Sequence, residues 1–216
     1  MLGLKKKFDS YAMQPGWTLV KYDQHDLLPT TGPKSLPAKH QRVIWQHFNE
    51  ERQVFEEIEY AISPEIGTVL LGYFVNGEAV SLWHDGIRQA QQPYTPTYDL
   101  YLASSLKGLL DSRASFTLDS RESSLSGKRV KVFELKTKFS DEEKKWIAVK
   151  LAGEVWGSQE TFYFDAESGM LLRYEHRYLL EDMSSVPVSV TDNFEIVPNA
   201  TLPEEVIQLL ENIKRR

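Results

Sequence analysis

Five histidines, His25, His40, His47, His84 and His176, are the first residues to weigh for chemistry. No two stand three or four apart, the spacing that puts two imidazoles on one helix face around a metal ion. Asp23-x-His25-Asp26 and His84-Asp85 could lend ligands only if folding joined them, and such neighbours at turns are more often solvated surface. His176 stands between Glu175 and Arg177 in an alternating run, so strand geometry groups it with Tyr174 and Tyr178. A hydrogen-bonded core histidine is the expected role. The chain has no cysteine, which removes thiolate nucleophiles, disulfides and thiolate metal centres. It has no Gly-x-Ser-x-Gly elbow, and Gly67, Gly72 and Gly77 lie five apart in what reads as a strand and its turn, not in a phosphate-binding loop. Neither a catalytic residue, a metal nor a cofactor is therefore expected.

Carboxylates offer a second chemistry. Glu50, Glu51, Glu56, Glu57 and Glu59 form an acidic run, and paired carboxylates can cleave glycosides when one is desolvated enough to hold its proton. Runs of this kind are usually solvated faces. Lys136, Lys138, Lys144, Lys145 and Lys150 bracket a turn containing Trp146; they could meet an anionic surface, but lysines protecting an edge hairpin are the commoner case. What remains is an aromatic load of 12%, including Trp45, Phe48, Phe74, Trp83, Phe133, Phe162, Phe164, Tyr174 and Tyr178. On one face of a curved antiparallel sheet such side chains line either a core or a cavity for an apolar ligand.

The elements that must carry these residues are mostly strands. Short runs rich in Val, Tyr, Phe and Trp predict strands at Arg42–Phe48, Gln53–Ile62, Thr68–Val75, Ala79–Asp85, Arg113–Leu118, Arg129–Lys138, Trp146–Leu151, Glu160–Phe164, Met170–Leu179 and Val188–Val197. Asn76-Gly77 predicts a two-residue hairpin, and Asp165-Ala166-Glu167-Ser168-Gly169 a second one with Gly169 in the left-handed region. After it, Met170, Leu172, Tyr174 and Tyr178 alternate with Arg173, Glu175 and Arg177, one face dry and one wet. Helices are expected at Ala103–Asp111, with Leu102, Leu106, Leu109 and Leu110 as its stripe, and from Pro203 to Lys214, with Leu202, Val206, Leu209, Leu210 and Ile213. Residues 1–40 read as an amino-terminal extension with a short helix at 2–13 and a proline-rich loop at 27–39. Residues 41–216 read as one antiparallel domain with a carboxy-terminal helix.

The 216 residues include 25 Lys+Arg against 31 Asp+Glu, a formal charge of -6, which excludes a general nucleic-acid binder because phosphate attraction needs a basic face. No apolar stretch approaches the roughly 20 residues of a transmembrane helix. Lys5-Lys6-Lys7 is followed by Asp9, Gln14 and Pro15 where a signal peptide has an apolar core. The expectation is a soluble, cytoplasmic protein, or a periplasmic one whose signal has been removed.

Two segments carry a resemblance. Thr161-Phe162-Tyr163-Phe164-Asp165-Ala166-Glu167-Ser168-Gly169-Met170-Leu171-Leu172-Arg173 resembles the hairpin of the LolA-like superfamily, an aromatic strand running into Asp, a small turn ending in Gly, and an apolar-apolar-Arg return. Asp192-Asn193-Phe194-Glu195-Ile196-Val197-Pro198-Asn199-Ala200-Thr201-Leu202-Pro203 resembles the strand that follows it. The resemblance covers the last third of the chain. It implies a mainly β fold of the α+β kind, a strongly curved antiparallel sheet or incomplete β-barrel wrapped on one or two helices. It also implies a non-enzymatic binding protein holding a lipid or acyl chain in the concave face of that sheet, lined by Trp83, Leu106, Leu109, Phe164, Leu172 and Tyr174. The rival expectations are a protein-interaction module of the same fold with a filled core and, behind it, a hydrolase.

Overall fold

The computed structural model of the chain describes residues 13–28, 36–51, 53–75, 78–83, 86–90, 116–145 and 154–214. Among them are eleven strands: β1 (Gly16–Asp26), β2 (Lys39–Phe48), β3 (Val54–Ser63), β4 (Gly67–Val75), β5 (Glu78–Trp83), β6 (Gly86–Ala90), β7 (Phe116–Leu125), β8 (Lys128–Lys138), β9 (Val155–Asp165), β10 (Leu171–Leu180) and β11 (Ser185–Val197). Two helices accompany them, α1 (Asp141–Lys145) and α2 (Glu204–Lys214). No helix among the described residues is long and apolar enough to cross a membrane.

Every pairing is antiparallel, and the strands form one sheet in the order β6-β5-β4-β3-β2-β1-β11-β10-β9-β8-β7. Among the described residues β6 and β7 stand at the two ends, so the sheet is open, an incomplete barrel and not a closed one. Five of its ten strand pairings carry register shifts. Each extra residue bends its strand and adds twist, so the sheet curves. The two meanders, β1 to β6 and β7 to β11, meet where the first strand pairs with the last: Val20 lies opposite Ile196, and Gln24 opposite Thr191. Residues 16–26, expected within an amino-terminal extension, thus form a strand flanked on both sides at the middle of the sheet.

Local turn chemistry sets the hairpins. Val75 faces Glu78 across β4 and β5, leaving the two-residue connection that Asn76-Gly77 predicts; those two residues themselves lie outside the described ones. Between β9 and β10, Asp165 Oδ1 accepts the backbone N–H of Glu167 at 3.0 Å and of Ser168 at 2.7 Å, and Gly169 takes φ 78°. A residue with a Cβ would be strained there. The predicted strand Trp146–Leu151 and the predicted helices at 2–13 and 103–111 lie outside the described residues, apart from Met13, which is not helical.

Alternation gives the sheet two faces. On one, Leu19, Val43, Trp45, Ile58 and Tyr73 pack with Val206 and Leu210 of α2, the stripe expected for that helix. This is the helix face. On the other, Val20, Tyr22, Ile44, Phe48 and Ile196 form one cluster and Phe133, Leu135, Phe162, Phe164 and Leu171 another, with Phe194 touching both. This is the aromatic face. Both faces of the central strands are buried, and the acidic run of β3 is correspondingly not a solvated surface. Glu57 is 2% exposed and accepts from the Gln46 amide, Glu56 accepts from Tyr73, and Glu59 pairs with Arg42. Cross-strand partners, invisible in the local sequence, satisfy these carboxylates. The lysines of β8 likewise do not guard an edge: β8 lies between β7 and β9, and Lys136 pairs with Glu134 at 3.3 Å.

Candidate functional site

Strands β8 to β11 build the aromatic face where it is most regular. Register places Phe133 opposite Phe162, Phe162 opposite Tyr174 and Tyr174 opposite Thr191, so one transverse row crosses four strands. Phe162 and Tyr174 lie with ring centroids 5.1 Å apart, Phe162 and Phe164 6.3 Å, and Phe133 meets Phe164 edge-on at 5.8 Å. Tilted and edge arrangements of this kind suit the ring quadrupoles. Phe162 and Phe164 are buried, whereas Tyr174, Phe194 and Met170 are only partly so.

The next row along the strands changes character. Leu118 faces Leu135, Leu135 faces Glu160, Glu160 faces His176 and His176 faces Ser189. A carboxyl and an imidazole thus stand directly opposite each other beside the aromatic row. Burial pushes the Glu160 carboxyl above the usual carboxylate range, although the hydrogen bond donated by Tyr174 works against it. The same burial pushes the His176 imidazole below its ordinary value. The imidazole packs edge-on against Tyr178 at 5.3 Å. Its grouping with Tyr174 and Tyr178 is the one alternation predicts; a ring contact is what holds it.

These shifts make a stability prediction with two opposite signs. The folded state holds the Glu160 proton more tightly than the unfolded chain, so its contribution is intact below the ordinary value of 4.5 and is lost as pH rises through the raised one. For His176 the folded value is depressed, so stability is intact above 6.5 and is lost as pH falls through the lowered value. Glu160→Gln should therefore raise the melting temperature at pH 7 and lose that gain near pH 4. His176→Gln should show its gain at pH 5 and none at pH 8. Melting shifts that do not change with pH would refute the desolvation of this pair.

A second set of titratable groups lies on the helix face. Tyr73 Oη donates to Glu56 Oε1 at 2.8 Å, and His47 Nδ1 lies 4.0 Å from Glu56 Oε2. His47 itself is held between Trp17, at 4.6 Å, and Phe55, at 4.3 Å. Burial and the Glu56 hydrogen bond and charge all raise the Tyr73 phenol. That keeps the hydroxyl protonated, the reverse of what activating a nucleophile requires. The set reads as structural. Among the described residues no group of three His, Asp or Glu is placed to hold a metal ion.

Of the residues expected to line a cavity, Phe164 and Tyr174 lie together on the aromatic face. Leu172 is partly buried, and a register shift between Leu171 and Arg173 puts Leu171 in the cluster beside Phe164. Trp83 ends β5 opposite Gly86, with its side chain outside the description, and Leu106 and Leu109 lie outside the described residues. Glu160 and His176 were not expected to face each other. Only the register across β9 and β10 pairs them.

No protein-family profile matches the chain, and no curated protein matches it. Two solved structures are similar to it along nearly its whole length. A LolA superfamily protein from Nitrosomonas europaea is 10% identical, covering 95% of this chain and 96% of that one with a TM-score of 0.35. LprF from Mycobacterium bovis is also 10% identical, covering 94% of this chain and 95% of that one with a TM-score of 0.37. Among the described residues the fold class, a curved and open antiparallel sheet with few helices, is defined by the strand order and register themselves.

Proposed function

We propose that this chain is a binding protein that holds an acyl chain or comparable apolar ligand against its aromatic face, without catalysing a reaction on it. The observation that carries this reading is the division of the sheet: α2 packs on one face, while the other carries a lane of aromatic side chains running into partly buried Tyr174 and Phe194. An apolar ligand laid there gains roughly 25 cal/mol for each Å² removed from water. The concave side of the sheet is, on this reading, the aromatic one. Phe164, Tyr174 and Leu172 stay in the proposed lining together with Trp83, Leu106 and Leu109.

One observation favours the rival, an interaction module with a filled core. Leu135, Phe162 and Phe164 are already buried to 2% exposure or less, as side chains packed on other protein groups would be. Native mass spectrometry of the purified protein, followed by denaturing extraction and lipid analysis, separates the two readings. A stoichiometric acyl-chain ligand is the expected result. A clean apoprotein that also fails to take up the neutral apolar fluorophore N-phenyl-1-naphthylamine would leave the filled-core module in its place.

A further inference from the structure

The aromatic face is not apolar throughout, and the place where it turns polar has a definite chemistry. Glu160 on β9 is flanked along its own strand by Ser158 and Phe162 on the same face. Opposite it, β10 presents Tyr174, His176 and Tyr178 on that face, with His176 directly across. One carboxyl is therefore set among Phe162, two tyrosines and an imidazole. The remaining polar groups that these rows bring to this face are Ser120 of β7, Thr137 of β8, Ser189 and Thr191 of β11, Gln24 and Asp26 of β1, and His40 of β2. Among the described residues of these rows there is no lysine or arginine on this face. The nearest, Lys131, is exposed and lies a row further on, opposite Phe164.

Resting on the binding reading above, we propose that Glu160 and the rings around it receive the head group of the ligand, and that this head group is a cation, an alkylammonium. A carboxylate withdrawn from water is costly unless an opposite charge accompanies it. Aromatic faces within about 6 Å attract such a cation without the hydration penalty of a second carboxylate, and quaternary ammonium groups are well suited to them. The apolar row at Phe162, Phe164 and Phe133 then continues as the path of the alkyl chain. A fatty acid is the wrong amphiphile for this end of the face, because its carboxylate would meet Glu160. His176, which burial keeps neutral, adds no opposing charge.

The test uses three amphiphiles of one chain length, decyltrimethylammonium, decanol and decanoate, each below its micelle concentration at pH 7.5 and 0.15 M salt. Each displaces the neutral fluorophore N-phenyl-1-naphthylamine from the whole chain. The expected order is ammonium, then alcohol, then carboxylate, with about tenfold between the first two. Because the chain carries a net charge of -6, generic attraction of cations is measured in the same assay on Glu160→Gln. There the ammonium-to-alcohol ratio should fall to about one, the remainder reporting only the general field. Equal affinities in the wild type, or a preference that survives in Glu160→Gln, would overturn the cationic head group while leaving the carrier reading standing. Displacement by none of the three would overturn the carrier reading, and the head-group proposal with it.

Discussion

Replacing Gly157 with alanine is expected to destabilise the fold by about 3 kcal/mol, one of the largest effects available from a single methyl group. Gly157 lies in β9 opposite Lys138 of β8 on one side and Leu179 of β10 on the other. A Cβ at this position would lie 2.0 Å from the Thr137 carbonyl oxygen and 3.0 Å from the Lys138 Cα. Both are backbone atoms, so no side chain can rotate out of the way. Relief requires β8 to move off β9, which loosens the pairing that aligns Phe133 with Phe162 and Leu135 with Glu160. For a chain of this size the loss corresponds to a fall of roughly 6–12 °C in melting temperature. Gly72 in β4 supplies the control: a Cβ there meets nothing within 4 Å, and Gly72→Ala should melt within a degree or two of the wild type. Thermal unfolding of the two variants side by side checks the close approach; similar melting temperatures would refute it.

That glycine illustrates which parts of the fold were legible in the sequence. The turn after β9 was readable because Asp165, Ser168 and Gly169 act on their immediate neighbours. The α2 stripe was readable because helical periodicity is local, and Val206 and Leu210 do face the core. β1 was hard to read for the opposite reason. Both its faces are covered at its start, with Thr18, Leu19 and Val20 consecutively buried, so no polar-apolar alternation marks it. Its pairing with β11 joins residues more than 160 positions apart, and no local signal specifies such a contact. β7 was extended beyond expectation through Arg121, Glu122, Ser123 and Ser124, exposed residues of poor strand preference that β8 nevertheless pairs one by one. The candidate site divides in the same way. Phe164 and Tyr174 share a face by simple alternation, but the register shift that sets Leu171 beside Phe164, and the register that sets Glu160 against His176, are properties of two strands together.

Phe162→Ala is the second change of large expected effect, and it distinguishes a ligand container from a filled core. The side chain is 1% exposed and meets Tyr174 and Phe164, so its loss should cost about 3–5 kcal/mol and lower the melting temperature by on the order of 10 °C. The size of that fall is the same under either reading, because a buried aromatic ring loses its contacts in both. The response to ligand is not. If the aromatic face receives an alkyl chain, a ligand binds the folded state alone and stabilises it by mass action. Saturating decyltrimethylammonium, kept below its micelle concentration, should then raise the melting temperature of the wild type. It should restore less to the variant, whose truncated lane offers the chain fewer contacts. If the face is a packed core, the same amphiphile finds no folded site in the wild type, and the melting curve stays where it was or moves down as the unfolded chain takes up surfactant. A Phe162→Leu variant, which keeps most of the apolar volume, should recover the greater part of both stability and ligand response. A ligand-insensitive wild type beside a destabilised Phe162→Ala would mean that the aromatic lane serves the fold alone, with function placed on the outer surface of the sheet.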